Sequence, residues 1–167
     1  MLKEFNIGEL TFNPFERIGN DWCLISAGTE GDFNTMTASW GGVGVLWGKE
    51  VATCYIRPQR YTKKFVDGSD YFTLTFFPDG YKKALGLCGR VSGRDHNKPK
   101  EAGLTPLFTD GTVTFEEANL VLVCRKLYAQ EMTEDSFVDK EVLRRNYPEM
   151  DLHTMYIGEI VKAYKAD

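Results

Sequence analysis

Six strand-like runs, joined by turn residues rather than by regular helices, decide what this 167-residue chain can fold into. The runs are Trp22–Ala27, Thr35–Trp40, Val51–Ile56, Tyr71–Phe76, Leu120–Gln130 and Met155–Tyr164. Several alternate in polarity or are rich in β-branched and aromatic residues, and Gly, Asp and Asn punctuate them. Leu120–Gln130 is mixed enough to suit a helix, but Val121, Val123 and Cys124 favour a strand. Helical signals are few and short. Arg60–Val66 stops at the breaker pair Asp67 and Gly68, and Asp79 can cap Tyr81–Leu87. Pro99–Ala102 ends at Gly103, and Lys140–Arg145 ends before Pro148. A doubly wound parallel sheet needs a crossover helix for every strand, so that architecture is excluded. A small antiparallel barrel is the economical alternative, because closure removes exposed edges and leaves the short helices at its periphery.

The length suits one domain spanning residues 1–167 around a single core. No apolar run is long enough to span a bilayer, so no membrane partner is expected. The formal net charge is −4 and no block of Lys and Arg occurs, which argues against nucleic-acid partners and makes any anion site local. Met1–Thr11 carries Glu4 and Glu9 and lacks the order of a secretory signal. Cys23, Cys54, Cys88 and Cys124 are far apart with no Cys-x-x-Cys pair, which predicts reduced, mostly buried thiols in a cytoplasmic protein. His96 and His153 are the only histidines and no carboxylates cluster near them, so no metal site is expected.

The densest chemistry runs from Asn34 to Thr62. Thr35, Thr37 and Ser39 alternate with Met36, Ala38 and Trp40, so a strand sets hydroxyls on one face and apolar groups on the other. One face packs, and the other face or the backbone edge can meet a polar ring. Gly41, Gly42 and Gly44 follow, suiting either a close approach or a simple hairpin loop. Arg57 and Arg60 offer planar forks matched to phosphate oxygens, and Pro58 fixes the backbone between them. Thr62, near a helix start, can give its hydroxyl to the same anion. A solvated turn with surface ion pairs is the alternative for Arg57–Arg60, and an exposed polar face for the strand. Together the two segments can hold a phosphate beside a flat apolar ring, as a flavin mononucleotide requires.

Four motifs in register carry a family resemblance: Asn34–Trp40, Ile56–Thr62, Ser92–Asp95 with Lys98, and His153 leading into Tyr156–Ile160. In order and rough spacing they resemble the flavin reductase-like, FMN-binding split-barrel family, in its flavoredoxin-like branch, over residues 13–164. The resemblance implies a mainly β, six-stranded antiparallel Greek-key split barrel with a few short peripheral helices. It also implies non-covalent FMN, favoured over FAD, and a homodimer with cofactor sites near the interface. By the same resemblance Thr37, Ala38, Ser39 and Trp40 run along the flavin ring and ribityl chain, with Thr53 and Cys54 on the adjoining strand. Arg60 and Thr62, and with them Arg57, contact the phosphate. Ser92, Gly93, Arg94, Asp95 and Lys98 form a loop closing over the cofactor; a local Arg94–Asp95 surface pair is the plainer alternative.

His153 can titrate near neutrality and pass a proton or hydrogen bond to a reduced flavin or a nicotinamide, or it can be a structural histidine tied to a backbone group. His96 reads as a loop residue without a role. No Gly-x-Ser-x-Gly elbow, Walker loop or dinucleotide fingerprint is present, so NAD(P)H would act only as a transient substrate stacked over the flavin. The leading expectation is an NAD(P)H-dependent flavin reductase or related FMN oxidoreductase working through flavin N5. The alternative is an electron carrier that exchanges with a protein partner and reacts poorly with pyridine nucleotide.

Overall fold

All six predicted runs are strands in the computed structural model of the protein, which describes residues 1–167. They form β2 (Cys23–Thr29), β3 (Asp32–Ala38), β5 (Lys49–Ile56), β6 (Tyr71–Phe76), β9 (Leu120–Glu131) and β10 (Thr154–Ala166). Two further strands, β1 (Leu2–Phe5) and β4 (Gly41–Leu46), bring the sheet to eight against the six expected, and the hairpin of β7 (Pro106–Thr109) and β8 (Thr112–Phe115) stands apart as a second sheet. Segment β4 escapes a sequence reading because Gly41, Gly42 and Gly44 look like a loop. It is a strand, paired with β5 from Gly41 opposite Cys54 to Leu46 opposite Lys49. A Cβ at Gly41 would lie 2.8 Å from the Thr53 carbonyl oxygen, so the glycine permits the close approach. The hairpin turns at Trp47 and Gly48, whose φ of 54° and 68° match the twist of the strands they join.

The strand order is β3-β2-β6-β9-β10-β5-β4, antiparallel throughout, with β1 on β10. Segments β3 and β4 therefore occupy opposite edges of the sheet although only Ser39 and Trp40 separate them in the chain. Three residue steps reach about 11 Å at most. The sheet must curl until its two edges stand side by side, and no ladder of hydrogen bonds joins them. This is a split barrel, with a seam between β3 and β4.

Ile25, Phe72, Leu74, Phe76, Leu122 and Tyr156 are buried in the barrel core. The Tyr156 hydroxyl reaches the outside by donating to Asp67 Oδ1 at 2.6 Å. At Gly158 a Cβ would come within 2.7 Å of Cys124 Cβ and 2.9 Å of the Phe72 ring, so β10 crosses β9 where no side chain fits. The four cysteines are free and buried.

Four short helices lie outside the barrel: α1 (Thr62–Gly68), α2 (Lys82–Arg90), α3 (Lys98–Ala102) and α4 (Lys140–Asn146). Asp67 and Gly68 are the last residues of α1 rather than following its end, and Lys63 and Tyr156 both hold the Asp67 carboxylate. Asp79 is not the cap of α2. Gly80, at φ 98°, turns the chain first, and Tyr81 occupies the cap without a side-chain bond. The last turn of α2 rests on β3, where Gly89 leaves only 3.2 Å between its would-be Cβ and Thr37 Cβ. Gly103 ends α3 in the left-handed conformation as expected. No helix is long and apolar enough to cross a membrane.

Candidate functional site

The seam opens into a crevice of about 210 Å³. Met36, Thr37, Ala38, Ser39 and Trp40 line it from β3 and the link to β4, Tyr55 and Arg57 from the end of β5, and Arg60 and His153 complete it. Met36, Arg57 and Arg60 also line a second cleft of about 320 Å³, shared with Gln59, Tyr61, Thr62, Arg90, Val91, Ser92, Arg94 and Lys98. The two spaces adjoin through Met36, Arg57 and Arg60, and together they make a groove with an aromatic end and a cationic end.

At the aromatic end the His153 ring sits 5.2 Å from Trp40, which is 47% exposed, and 5.5 Å from Tyr147. His153 Nδ1 and the Tyr147 hydroxyl are hydrogen-bonded at 2.7 Å. Burial, aided by the Arg57 charge, lowers the His153 pKa to about 4. Of the roles open to it, this favours an imidazole that is neutral at pH 7 and acts by hydrogen bonding. Arg57 ties this end to α4. Its Nη1 pairs with Asp151 Oδ1 at 2.6 Å, Nη2 donates to the Asn146 carbonyl at 2.9 Å, and the guanidinium lies 4.9 Å from the Tyr147 ring centroid.

The cationic end is more unusual. Arg57, Arg60, Arg90, Arg94 and Lys98 all line it, no carboxylate does, and only Arg57 among them has an acidic partner. Arg60 donates to the Gly89 carbonyl at 2.7 Å, which holds the end of α2 against the α1 entrance. Burial and the Arg57 charge lower its pKa. Arg94 stacks on Tyr61 at 4.7 Å and forms no pair with Asp95. Lys98 is 3% exposed, and its ammonium donates at 2.9 Å both to the Thr35 carbonyl and to the Cys88 carbonyl. Burial lowers its pKa to about 8. Cations held this close without acids accumulate a charge debt that an anionic ligand relieves.

Strand β3 presents its backbone here, not its hydroxyls. The Thr35 hydroxyl is buried against Ser26 and Ile25, and the Thr37 hydroxyl donates to the Leu85 carbonyl of α2. Both faces are packed: Met36 and Ala38 enter the barrel core, and the hydroxyl face is covered as well. Because Thr35 turns its carbonyl outward to Lys98, Thr37 two residues on points its N–H and C=O to the same unpaired side.

The groove thus gathers Thr37, Ala38, Ser39, Trp40, Arg57, Arg60, Thr62, Ser92, Arg94, Lys98 and His153 of the residues singled out in the sequence. Thr62 is buried and its Oγ1 accepts from Asn34 Nδ2 at 2.9 Å, which leaves its own proton without an acceptor. Gly93 and Asp95 line a neighbouring cleft instead. At Gly93 a Cβ would fall 2.0 Å from Asn34 Oδ1, so the loop is pressed against β3. Thr53 and Cys54 line neither space. Cys54 points into the core beside Cys23 and Cys124, and Gly42 covers Thr53. Sequence reasoning missed Met36, Tyr55, Tyr61, Arg90 and Tyr147. The period of two along β5 was a usable signal for Tyr55, which shares a face with Arg57. Tyr147 carried none, because a loop after α4 brings it in.

Residues 15–167 match the family model described as flavin reductase like domain. Among solved structures, an FMN-binding domain of a flavin reductases-like enzyme from Shewanella baltica OS155 superposes with a TM-score of 0.69 at 15% identity, covering 99% of this chain and 77% of that one. Flavoredoxin from Methanosarcina acetivorans gives 0.69 at 21% identity over 88% and 69% of the two chains. Flavoredoxin of Desulfovibrio vulgaris (Miyazaki F) gives 0.68 at 17% over 87% and 69%. No curated protein matches the sequence.

Proposed function

The chain belongs to the flavin reductase-like domain family, and from that premise we propose that it is an FMN-dependent oxidoreductase of the NAD(P)H-dependent flavin reductase type. Bound FMN would take up hydride at N5 and release electrons to an acceptor, so the redox chemistry is the cofactor's own. One observation carries the reading: in a chain of net charge −4, five cations and no acid line a cleft that runs into an aromatic crevice. A phosphate monoester joined to a flat ring is the ligand that such a groove satisfies.

In this reading Arg60 and the free Thr62 proton hold the phosphate, assisted by Arg57, Arg94, Ser92 and Lys98. The outward backbone of β3 at Thr37, with Ala38 and Ser39, borders the ring edge, and Trp40 and Tyr55 exclude water from its apolar part. Neutral His153 orients a ring or nicotinamide group by hydrogen bonding. We further propose a homodimer, supported by the exposed apolar side chains Val45, Leu46, Trp47 and Tyr128 on the β4–β5 hairpin and facing β9. A cytoplasmic setting fits the four free thiols.

The test is anaerobic spectrophotometry. The purified protein is expected to bind FMN and to lose its visible flavin band on addition of NADH or NADPH. Binding without bleaching would replace the reductase with an electron carrier serving a protein partner. Absence of FMN binding would overturn the flavin reading itself.

A further inference from the structure

Tyr147 lines neither part of the groove, yet it holds the imidazole that does. Its own place is fixed from three sides. Its N–H donates to the Leu143 carbonyl at the end of α4, its ring meets Phe137 edge-on at 5.7 Å, and the Arg57 guanidinium lies 4.9 Å from its centroid. Burial lowers the pKa of His153 to about 4 and raises that of the Tyr147 hydroxyl, so at pH 7 each group keeps one proton. The hydroxyl faces two acceptors, His153 Nδ1 at 2.7 Å and the Met132 sulfur at 3.8 Å. A thioether accepts weakly, so the phenolic proton goes to Nδ1. That nitrogen then has no proton of its own, and the ring proton sits on Nε2. Nε2 has no partner in the chain and stays open to solvent, and His153 is a wall of the crevice.

We propose that Tyr147 is a positioning residue: by donating to Nδ1 it fixes the Nε2–H tautomer of His153, so that the crevice offers a neutral donor to a carbonyl oxygen of its ligand. The other tautomer would present a lone pair, which repels such an oxygen and suits an N–H instead. Because Phe137, Arg57 and the end of α4 hold the Tyr147 ring, the donor is set before a ligand arrives. Its bond strengthens as reduction adds electron density to the oxygen, with no proton transferred. Whose oxygen it is rests on the flavin reading: a flavin ring carbonyl, or the carboxamide of a nicotinamide. The place of the proton on the ring does not.

Nitrogen-15 NMR at pH 7 reads the tautomer without any ligand, and with only two histidines in the chain His96→Gln assigns the signals. The unaltered chain is expected to show Nε2 protonated and Nδ1 unprotonated. Tyr147→Phe keeps the packed ring and should bring the two signals toward each other as both tautomers populate. Met132→Leu removes the competing acceptor and should leave the pattern as it is. A proton on Nδ1 in the unaltered chain, a switch of tautomer in Met132→Leu, or an unmoved pattern in Tyr147→Phe overturns the proposal. With cofactor present, Tyr147→Phe is expected to lose about two- to tenfold, the range of one neutral hydrogen bond. The loss falls on the Kd for FMN if the oxygen is the flavin's. It falls on the KM for NADH or NADPH, at unchanged FMN affinity, if the oxygen is the nicotinamide's. Neither loss, in a protein that binds FMN, overturns the positioning role. Failure of the flavin reading shows separately, as absence of FMN binding beside an intact nitrogen pattern.

Discussion

Replacing Arg60 with Ala tests the phosphate end of the groove directly. One guanidinium N–H of Arg60 is committed to the Gly89 carbonyl, and the others are free of any acid. A hydrogen bond to a charged group contributes about 1.5–3 kcal/mol, which is roughly a 10- to 150-fold change in Kd. Arg57, Arg94 and Lys98 line the same cleft and spread the charge, so the expected loss lies toward about tenfold. Titration of FMN by fluorescence quenching measures it, and the loss should shrink as salt is raised. Riboflavin, which lacks the phosphate, separates this role from the bond to Gly89: its affinity should be the same in both proteins. If FMN affinity is unchanged at low salt, Arg60 does not hold the phosphate. If riboflavin weakens as much as FMN, Arg60 acts only by bracing α2.

Gly158→Ala should destabilise the barrel by about 1–3 kcal/mol in urea unfolding, because the new methyl overlaps Cys124 and Phe72. Gly93→Ala must displace Asn34 and break its bond to Thr62. A loss of about 1–3 kcal/mol with weakened FMN binding is expected, and unchanged affinity would detach the loop from the site. His153 titrates near 6.5 when unfolded and near 4 when folded, so the unfolded chain binds the extra proton between those values. Stability should be complete above pH 6.5 and fall as pH drops toward 4, and His153→Gln should flatten that limb in pH-dependent melts. Tyr147→Phe removes the hydroxyl partner of Nδ1 and should cost about 1 kcal/mol in the same assay.

The barrel was legible because six of its strands bury apolar residues in runs that local pattern alone reveals. β4 was not, because its three glycines look like a loop, while the close approach of Gly41 to β5 is a tertiary fact. Arg57, Arg60 and Arg94 announced themselves in Arg-Pro-x-Arg and Ser-Gly-Arg-Asp, since charge at a turn is visible in one dimension, whereas Arg90 at the end of α2 did not. The hydroxyls of β3 misled for the converse reason: alternation shows that Thr35 and Thr37 share a face, but only the docking of α2 decides that this face is covered. Cys54 failed by one step of the β5 period, a distinction that needs to know which side of the strand the core lies on. Tyr147 and the cleft at Gly93 depend on segments far apart in the chain.

The two-residue join at Ser39 and Trp40 also bears on solubility. An unpaired β3 flank is a template for a foreign strand, and self-association through such flanks is how sheet proteins become fibrous. Here the short tether keeps β4 alongside that flank, and the ammonium of Lys98 occupies the Thr35 carbonyl on it. Lengthening the tether would add little closure entropy, about 0.6 kcal/mol for each doubling, yet would uncover the flank. Its brevity guards the molecule against polymerising through its own ligand groove.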